Sequence, residues 1–137
     1  MKKSLFIFGI ITIFSIVALS GCQEEGTQNT NTLENIELDS EVVEIAYANF
    51  TKNMQDNKIV SVSVEYLFKN IVERDLSINV TVEFYDKDDS LLYTGGPKNI
   101  NLPKGWTEQG IGPANSISYD GEDASEADHV KIIVEEV

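Results

Sequence analysis

IVSVSVEYLFK, residues 59–69, and LSINVTVEFYD, residues 76–86, are the two stretches of this sequence that decide its fold. Apolar and polar residues alternate in both with a period of two. A β-strand places side chains of one parity on one face, whereas a helix would scatter them around its circumference. We therefore expect two strands that supply the centre of the core. Their inward residues are predicted to be Val60, Val62, Val64, Tyr66, Phe68, Leu76, Ile78, Val80, Val82 and Phe84.

Weaker strand signals lie on both sides of this central pair. They fall at residues 41–50, 91–94, 99–102, 106–111 and 116–119, and at the alternating Val130, Ile132 and Val134. Turn-forming pairs and triplets rich in Gly, Pro and Asp separate these segments. About seven short strands at regular spacing, without a helical pattern, predict an all-β fold with one antiparallel β-sandwich. We assign it residues 40–137.

Residues 1–21 have the composition of a secretory signal peptide. Lys2 and Lys3 are followed by an apolar stretch over residues 5–19 and then by two small residues. A bilayer-spanning helix needs about 20 apolar residues, and this stretch is shorter. A retained membrane span is the alternative.

The chain is strongly acidic, with 23 Asp and Glu against 10 Lys and Arg and a net charge of −13. Removal of the signal peptide takes away Lys2 and Lys3 and no acid, so the net charge becomes −15. Nucleic acid is not an expected partner, because phosphate contacts require clustered basic side chains. Cations and basic proteins are favoured instead. One cysteine cannot form an internal disulfide, so the sandwich must rest on its core.

The signal peptide ends in Leu19-Ser20-Gly21-Cys22, which resembles the lipobox of prokaryotic lipoproteins. The resemblance implies that a signal peptidase recognises Leu19, Ser20 and Gly21 and that the Cys22 thiol carries a diacylglyceryl lipid. An ordinary cleavage site beside a chance cysteine is the alternative. Two acyl chains give stable anchoring, because each buried CH₂ contributes about 0.8 kcal/mol. The implied location is the extracytoplasmic face of a cell membrane or envelope.

The polar stretch that follows is rich in Thr, Asn and Glu and has little apolar surface to bury. We therefore predict that residues 22–39 comprise the lipidated cysteine and a flexible tether.

Residues 69–92 are similar to the FxLYD-type immunoglobulin-like domains of prokaryotic lipoproteins. The similarity consists of a strand that ends at Asn70, an alternating strand that ends in Phe84-Tyr85-Asp86, and a turn at Asp88-Asp89. Asp89 stands where that family often has a turn glycine. The resemblance implies an immunoglobulin-like sandwich and an envelope location, and it implies no activity.

The sequence contains few signs of catalysis. His129 is the one histidine; it follows Asp128 at the start of a predicted strand, and no GxSxG motif accompanies it. A small sandwich also has little concavity to exclude water from a substrate. We therefore predict that the protein is not an enzyme and that His129 is a surface residue. A small envelope enzyme is the less favoured alternative.

The segment 120–128 is rich in acids, which are Asp120, Glu122, Asp123, Glu126 and Asp128. Ca²⁺ takes six to eight oxygen ligands, some of which clustered carboxylates supply. The spacing matches no calcium loop, and a solvated loop with a short helical turn at 124–127 explains the composition equally well. We predict no metal and no other cofactor. A calcium-dependent adhesion or surface module is kept as an alternative.

Trp106 is the most prominent candidate for a contact with a partner. It follows a Pro-Lys-Gly turn, where it either forms an exposed hot spot for binding or plugs one end of the sandwich. Asn49 and Asn79 begin N-x-T sequences that match glycosylation acceptors, although threonine also suits a strand.

The expected function is a lipid-anchored, non-catalytic binding or protein-interaction module whose partner is an unidentified envelope protein. Loops on a rigid scaffold commonly carry such specificity. The candidate loops are 86–90, 95–98, 103–106 and 120–128. A further alternative is that the protein is an accessory subunit of an envelope complex.

Overall fold

The computed structural model of the protein describes residues 33–137, which form seven strands in two sheets. One sheet has the strand order β1-β7-β4-β5 and the other the order β2-β3-β6. The all-β sandwich predicted from the sequence is confirmed. The strands are β1 Ile36–Asp39, β2 Val43–Gln55, β3 Lys58–Asn70, β4 Leu76–Asp86, β5 Leu91–Leu102, β6 Ser116–Tyr119 and β7 Ala127–Glu136, with 3₁₀ turns at Pro113–Asn115 and Ala124–Glu126.

The core lies between the alternating faces of β3, β4 and β7. All the predicted inward residues of β4 are buried, as are those of β3 from Val62 to Phe68. Val60 was predicted to point inward, and that prediction is wrong because its side chain is 44% exposed. It lies at a register shift between β2 and β3, in a part of their hairpin that β6 does not reach.

The folded part of the chain begins earlier than predicted. Ile36–Asp39, at the end of the predicted tether, forms β1, which pairs in parallel with β7 from Val130 onward. Ile36 is buried, and the Nζ atom of Lys131 lies 3.2 Å from the Oδ2 atom of Asp39. The hydrogen bond to Asp39 raises the pKa of Lys131. Residues 36–39 are therefore part of the sandwich.

The β2–β3 hairpin is longer than the predicted strand at 41–50. Its turn residues Asp56 and Asn57 have φ angles of 49° and 62°. Two consecutive positive φ angles are typical of the tight hairpin turn that matches the twist of the flanking strands, and Asp and Asn tolerate them better than most residues.

Two further predictions on the β5 side are wrong. Residues 91–94 and 99–102 belong to one strand, β5, so 95–98 is an irregularity within a strand and not a loop. A Cβ atom at Gly95 would lie 2.4 Å from Ile117 Cγ2, so the two sheets approach too closely for any other residue there. Residues 106–111 form no strand; a single β-bridge joins Thr107 to Lys69.

Candidate functional site

The sandwich has two ends with different character. The described chain starts at one of them, where the N–H of Val130 donates to the Asn35 carbonyl oxygen at 2.9 Å. We call this the entry end; loops 86–90 and 120–128 lie there, because β4 ends and β7 begins at it. The opposite end, which we call the distal end, carries loops 71–75 and 103–112. The strand directions therefore bring two of the predicted loops together and place the loop of Trp106 far from them.

Asn70 organises the distal end from inside. Its side chain is buried, and its Nδ2 atom donates to the carbonyl oxygens of Arg74 at 2.8 Å, Leu102 at 3.0 Å and Pro103 at 3.1 Å. Its Oδ1 atom accepts from the N–H of Val72 at 2.9 Å. One amide group thus joins the loop after β3 to the end of β5, and buried polar groups satisfied in this way hold a loop in one conformation.

Glu108 fixes the loop of Trp106 against the edge of β3. Its Oε2 atom accepts from the N–H of Phe68 at 2.9 Å, and its own N–H donates to the Phe68 carbonyl oxygen at 2.9 Å. Its Oε1 atom accepts from Asn115 Nδ2 at 3.0 Å. The carboxylate and backbone of one residue therefore serve the strand edge at a point that β6 does not cover.

A core tyrosine holds the far end of the same loop. The hydroxyl of Tyr66 donates to the Ala114 carbonyl oxygen at 2.9 Å, and its ring stacks on Phe68 with the centroids 5.1 Å apart. Burial and the negative charge of Glu108 raise the pKa of Tyr66. The phenol therefore remains a neutral donor at physiological pH.

The side chain of Trp106 is left in solvent by this rigid frame. The backbone N–H of Trp106 donates to the Pro103 carbonyl oxygen at 3.0 Å, and the backbone carbonyl oxygen of Trp106 accepts from the backbone N–H of Asn70 at 2.9 Å. Nevertheless Trp106 is 54% exposed. Ile111 on the same loop is 42% exposed, and Ile71 on loop 71–75 at the same end is 43% exposed. The alternative in which Trp106 plugs the sandwich is wrong.

We call Ile71, Trp106 and Ile111 the distal patch. An aromatic anchor on a loop with a fixed backbone loses little conformational entropy when a partner covers it, which is the arrangement of a binding hot spot.

His129, the one histidine of the sequence, lies at the entry end and has a structural role there. His129 Nδ1 lies 3.0 Å from Asp128 Oδ2, and its Nε2 lies 3.0 Å from Asp89 Oδ1. The imidazole ring stacks on Tyr85 with the centroids 5.5 Å apart and an interplanar angle of 9°. His129 was predicted to be a surface residue, and it is half-buried. It fastens the β4–β5 hairpin to β7, and no serine, threonine or cysteine is among these contacts.

The acidic segment 120–128 does not bring its carboxylates to one metal site. Glu126 and Asp128 line a concave surface of about 500 Å³ with Asp86 and Asp88. Asp123 accepts a hydrogen bond from the hydroxyl of Tyr119, and Asp128 is engaged with His129. Within residues 33–137, no three His, Cys, Asp or Glu side chains are placed to share a metal ion. The predicted helical turn is present at Ala124–Glu126.

The concave surface near β5 and β6 has few side chains that could act as acids, bases or nucleophiles. A cleft of about 350 Å³ lies between the two strands, and its ionisable lining residues are Tyr93 and Lys98. The cleft contributes no carboxylate, thiol or imidazole.

Some of the remaining predicted sites lie outside the residues that the structure describes, and others lie within them. Leu19, Ser20, Gly21 and Cys22 lie outside the described residues. Asn79 is partly exposed on β4, and its Oδ1 atom lies 3.3 Å from Asn99 Nδ2. Between residues 33 and 137 there is no helix of the length and hydropathy needed to cross a membrane.

Sequence reasoning missed the roles of Asn70 and Glu108. Asn70 continues the inward parity of β3, and a polar residue at an inward position at the end of a strand is a signal for a buried structural amide. No pattern in the sequence predicts the role of Glu108, because that role depends on the position of its loop beside the β3 edge in the folded chain.

Comparisons with known proteins show no family for this chain. No family model matches the chain, and no curated protein matches it. Among solved structures it is similar to the crystal structure of Campylobacter jejuni cj0090, with 12% sequence identity and a TM-score of 0.47. The alignment covers 77% of this chain and 100% of that one.

Proposed function

We propose that this protein is a lipid-anchored, non-catalytic binding module of a cell envelope, and that it contacts a protein partner through the distal patch. The observation that carries the proposal is the exposure of Trp106 on a loop whose backbone is held by Asn70 and Glu108. Large aromatic side chains dominate binding energies at protein interfaces, and a fixed loop reduces the entropy lost on association.

The anchor is the Cys22 lipid. The sequence Leu19-Ser20-Gly21-Cys22 after a basic and apolar stretch supports it, and so does the similarity of residues 69–92 to immunoglobulin-like domains of prokaryotic lipoproteins. In this proposal the signal peptide directs export, and the diacylglyceryl group then holds the chain on the extracytoplasmic face of the membrane.

The position of the distal patch suits an anchored protein. The described chain starts at the entry end with Leu33, so a tether from Cys22 reaches the sandwich at the end opposite Trp106. The distal patch then faces away from the membrane, where a partner has access to it. The acidic net charge favours a partner with a basic surface and disfavours nucleic acid.

The anchor is tested by metabolic labelling with palmitate. The unchanged chain is expected to take up the label and to sediment with membranes. Cys22→Ala is expected to lose the label and to appear in the soluble fraction; a C22A chain that keeps the label would contradict the anchor.

The contact surface is tested by photocrosslinking in intact cells. A photoreactive amino acid replaces the exposed Gln109, on the loop of Trp106, and in a matched chain it replaces the exposed Glu122 at the entry end. We expect position 109 to give a discrete crosslinked protein that position 122 does not give. Equal products from both positions would contradict a distal binding surface.

A further inference from the structure

The two described sheets have four edges, and three of them carry features that prevent pairing with another strand. Natural sheets protect their edges with short strands, charges, prolines and irregularities. β1 has four residues, and Glu37 and Asp39 are two of them. β6 also has four residues. β5 is interrupted near Gly95 by a register shift and contains Pro97.

The fourth edge, on β2, has less of this protection. Its register against β3 shifts between Ile45 and Tyr47 and again between Asn53 and Met54, and the stretch from Tyr47 to Asn53 between these shifts is regular. β2 extends over 13 residues and pairs only with β3 among the strands of residues 33–137. Its segment from Tyr47 to Gln55 contains Lys52 as its one charged residue and has no acid and no proline. That composition is unusual in a chain of net charge −13. β2 is therefore the one described edge of appreciable length that is open to another strand.

The hydrogen bonds of β3 show which backbone groups of β2 point outward. The N–H of Phe68 donates to Glu108, and the N–H of Asn70 donates to the Trp106 carbonyl oxygen. Both partners lie on the side of β3 away from β2. Because backbone groups alternate in direction along a strand, the even-numbered residues of β3 direct their N–H and C=O groups away from β2.

The free groups of β2 follow from this alternation. Ala48, Phe50 and Lys52 lie opposite even-numbered residues of β3. Opposite residues in an antiparallel pair either exchange two hydrogen bonds or exchange none. Consequently the N–H and C=O groups of these three residues point away from the sheet, at every second position along an open edge.

We propose that the open edge of β2 binds β2 of a second copy of this chain in antiparallel register, which joins the two three-stranded sheets into one sheet of six. The three outward residues determine the register. Phe50 lies opposite Phe50 of the second copy, and Ala48 lies opposite Lys52, so that all three residues form hydrogen-bonded pairs. A shift of this register by two residues would leave some of these groups without a partner. The proposal goes beyond the function proposed above and does not depend on Trp106.

Side chains favour a second copy as the occupant. In this register Tyr47 lies opposite Asn53 and Asn49 lies opposite Thr51. Within one chain Asn49 Nδ2 donates to Thr51 Oγ1 and Asn53 Nδ2 to Ser61 Oγ, both at 3.0 Å, so it is the amide oxygens that face the hydroxyl groups of the second copy as acceptors. Cross-strand pairs of this kind stabilise a sheet, whereas like charges placed opposite each other destabilise it. The positive charge of Lys52 lies beside the small side chain of Ala48. Copies of an acidic protein thus meet along a stretch that has no acid.

Paired cysteines in the full chain, produced in intact cells, test this register. Residues 49 and 51 occupy non-hydrogen-bonded positions across the new interface, where side chains approach most closely. Asn49→Cys with Thr51→Cys is expected to give a disulfide-linked dimer under mild oxidation. The matched control is Ser61→Cys with Ser63→Cys, which has the same spacing on the neighbouring strand and is expected to give at least fivefold less dimer. Equal yields, or no dimer from the first pair, would overturn the proposal.

A proline at position 52 separates edge pairing from random collision. Lys52→Pro, added to the chain that carries Asn49→Cys and Thr51→Cys, removes an outward N–H and leaves the bonds between β2 and β3 in place, so the yield of dimer should fall at least fivefold. Lys52→Ala keeps the N–H and should have no effect. If K52P does not accumulate, Ala48→Pro and its control Ala48→Gly provide the same comparison. Equal yields from a proline variant and its control would overturn the proposal.

Discussion

The backbone N–H of Phe68 donates to the side-chain carboxylate of Glu108 at 2.9 Å, at a place where a neighbouring strand would supply a carbonyl oxygen. The same residue returns a backbone bond to the Phe68 carbonyl oxygen. One residue of a loop thereby completes the edge of a core strand and positions Trp106, two residues before it. The stability of the sandwich and the position of its candidate contact residue are thus linked.

Glu108→Ala is expected to destabilise the sandwich by about 1–3 kcal/mol, because it leaves the Phe68 N–H and the Asn115 amide without an acceptor. Urea denaturation followed by circular dichroism measures the change. Gln109→Ala, at the exposed neighbouring position, is the control and should change stability by less than about 0.5 kcal/mol. Equal stability of the two variants would contradict the role given to Glu108.

Asn70→Ala is expected to cost more than about 2 kcal/mol, because three carbonyl oxygens lose a donor inside the distal end. Asn70→Asp should destabilise at least as strongly, since a carboxylate has no N–H to donate and repels those oxygens. Thermal unfolding of both variants measures the effect, with the exposed Asn101→Ala as the matched control. An N70D protein as stable as the unchanged chain would refute this account.

Ionisation of Tyr119 should occur late in an alkaline titration. Its hydrogen bond to Asp123 raises the pKa of Tyr119 to about 12. A pKa raised in the folded state means that the stabilisation is fully present below the unfolded value of about 10 and is lost as the pH rises through about 12. Asp123→Ala should move this transition toward about 10.

The near-ultraviolet absorbance of tyrosinate follows the titration, and Tyr119→Phe identifies which transition belongs to Tyr119. If D123A leaves that transition in place, the hydrogen bond is not its cause.

Millimolar Ca²⁺ should leave the thermal unfolding midpoint unchanged. No three acids of loop 120–128 converge on one point, and Asp123 and Asp128 are already engaged with Tyr119 and His129. A ligand that binds the folded state raises the midpoint by mass action, so differential scanning fluorimetry detects such binding. A rise of several degrees that Asp123→Ala abolishes would support the calcium alternative and contradict this prediction.

The central strands β3 and β4 were predictable because buried and exposed residues alternate along them. Any strand with one face on the core and one in solvent has this period of two. β1 was not predictable, since four residues in a polar stretch have no period of their own and Ile36 is buried only through its pairing with β7. Val60 continues the inward parity, but the register shift between β2 and β3 falls at this residue, so Val60 is exposed and the adjacent Ile59 packs against the core. Alternation predicts which side chains share a face and does not predict where an irregularity in strand pairing reverses the two faces.

Less of the candidate site could be read from the sequence. Trp106 was a candidate contact residue that could instead have plugged the sandwich, and its exposure depends on where Asn70 and Glu108 hold its loop. The segment 106–111 has the composition of a strand, yet it satisfies the β3 edge through a side-chain carboxylate and so forms a single bridge. These outcomes come from contacts between residues distant in sequence, which a local pattern does not encode.

The most direct test of the proposed function is the crosslinking yield from the photoreactive residue at position 109, compared between the unchanged chain and Trp106→Ala in intact cells. A hot-spot tryptophan contributes at least about 1–2 kcal/mol, which corresponds to roughly a fivefold to 30-fold loss of affinity. We predict that the discrete crosslinked product falls at least fivefold in W106A while the stability of the sandwich is unchanged. An equal yield from both chains would contradict binding through the distal patch.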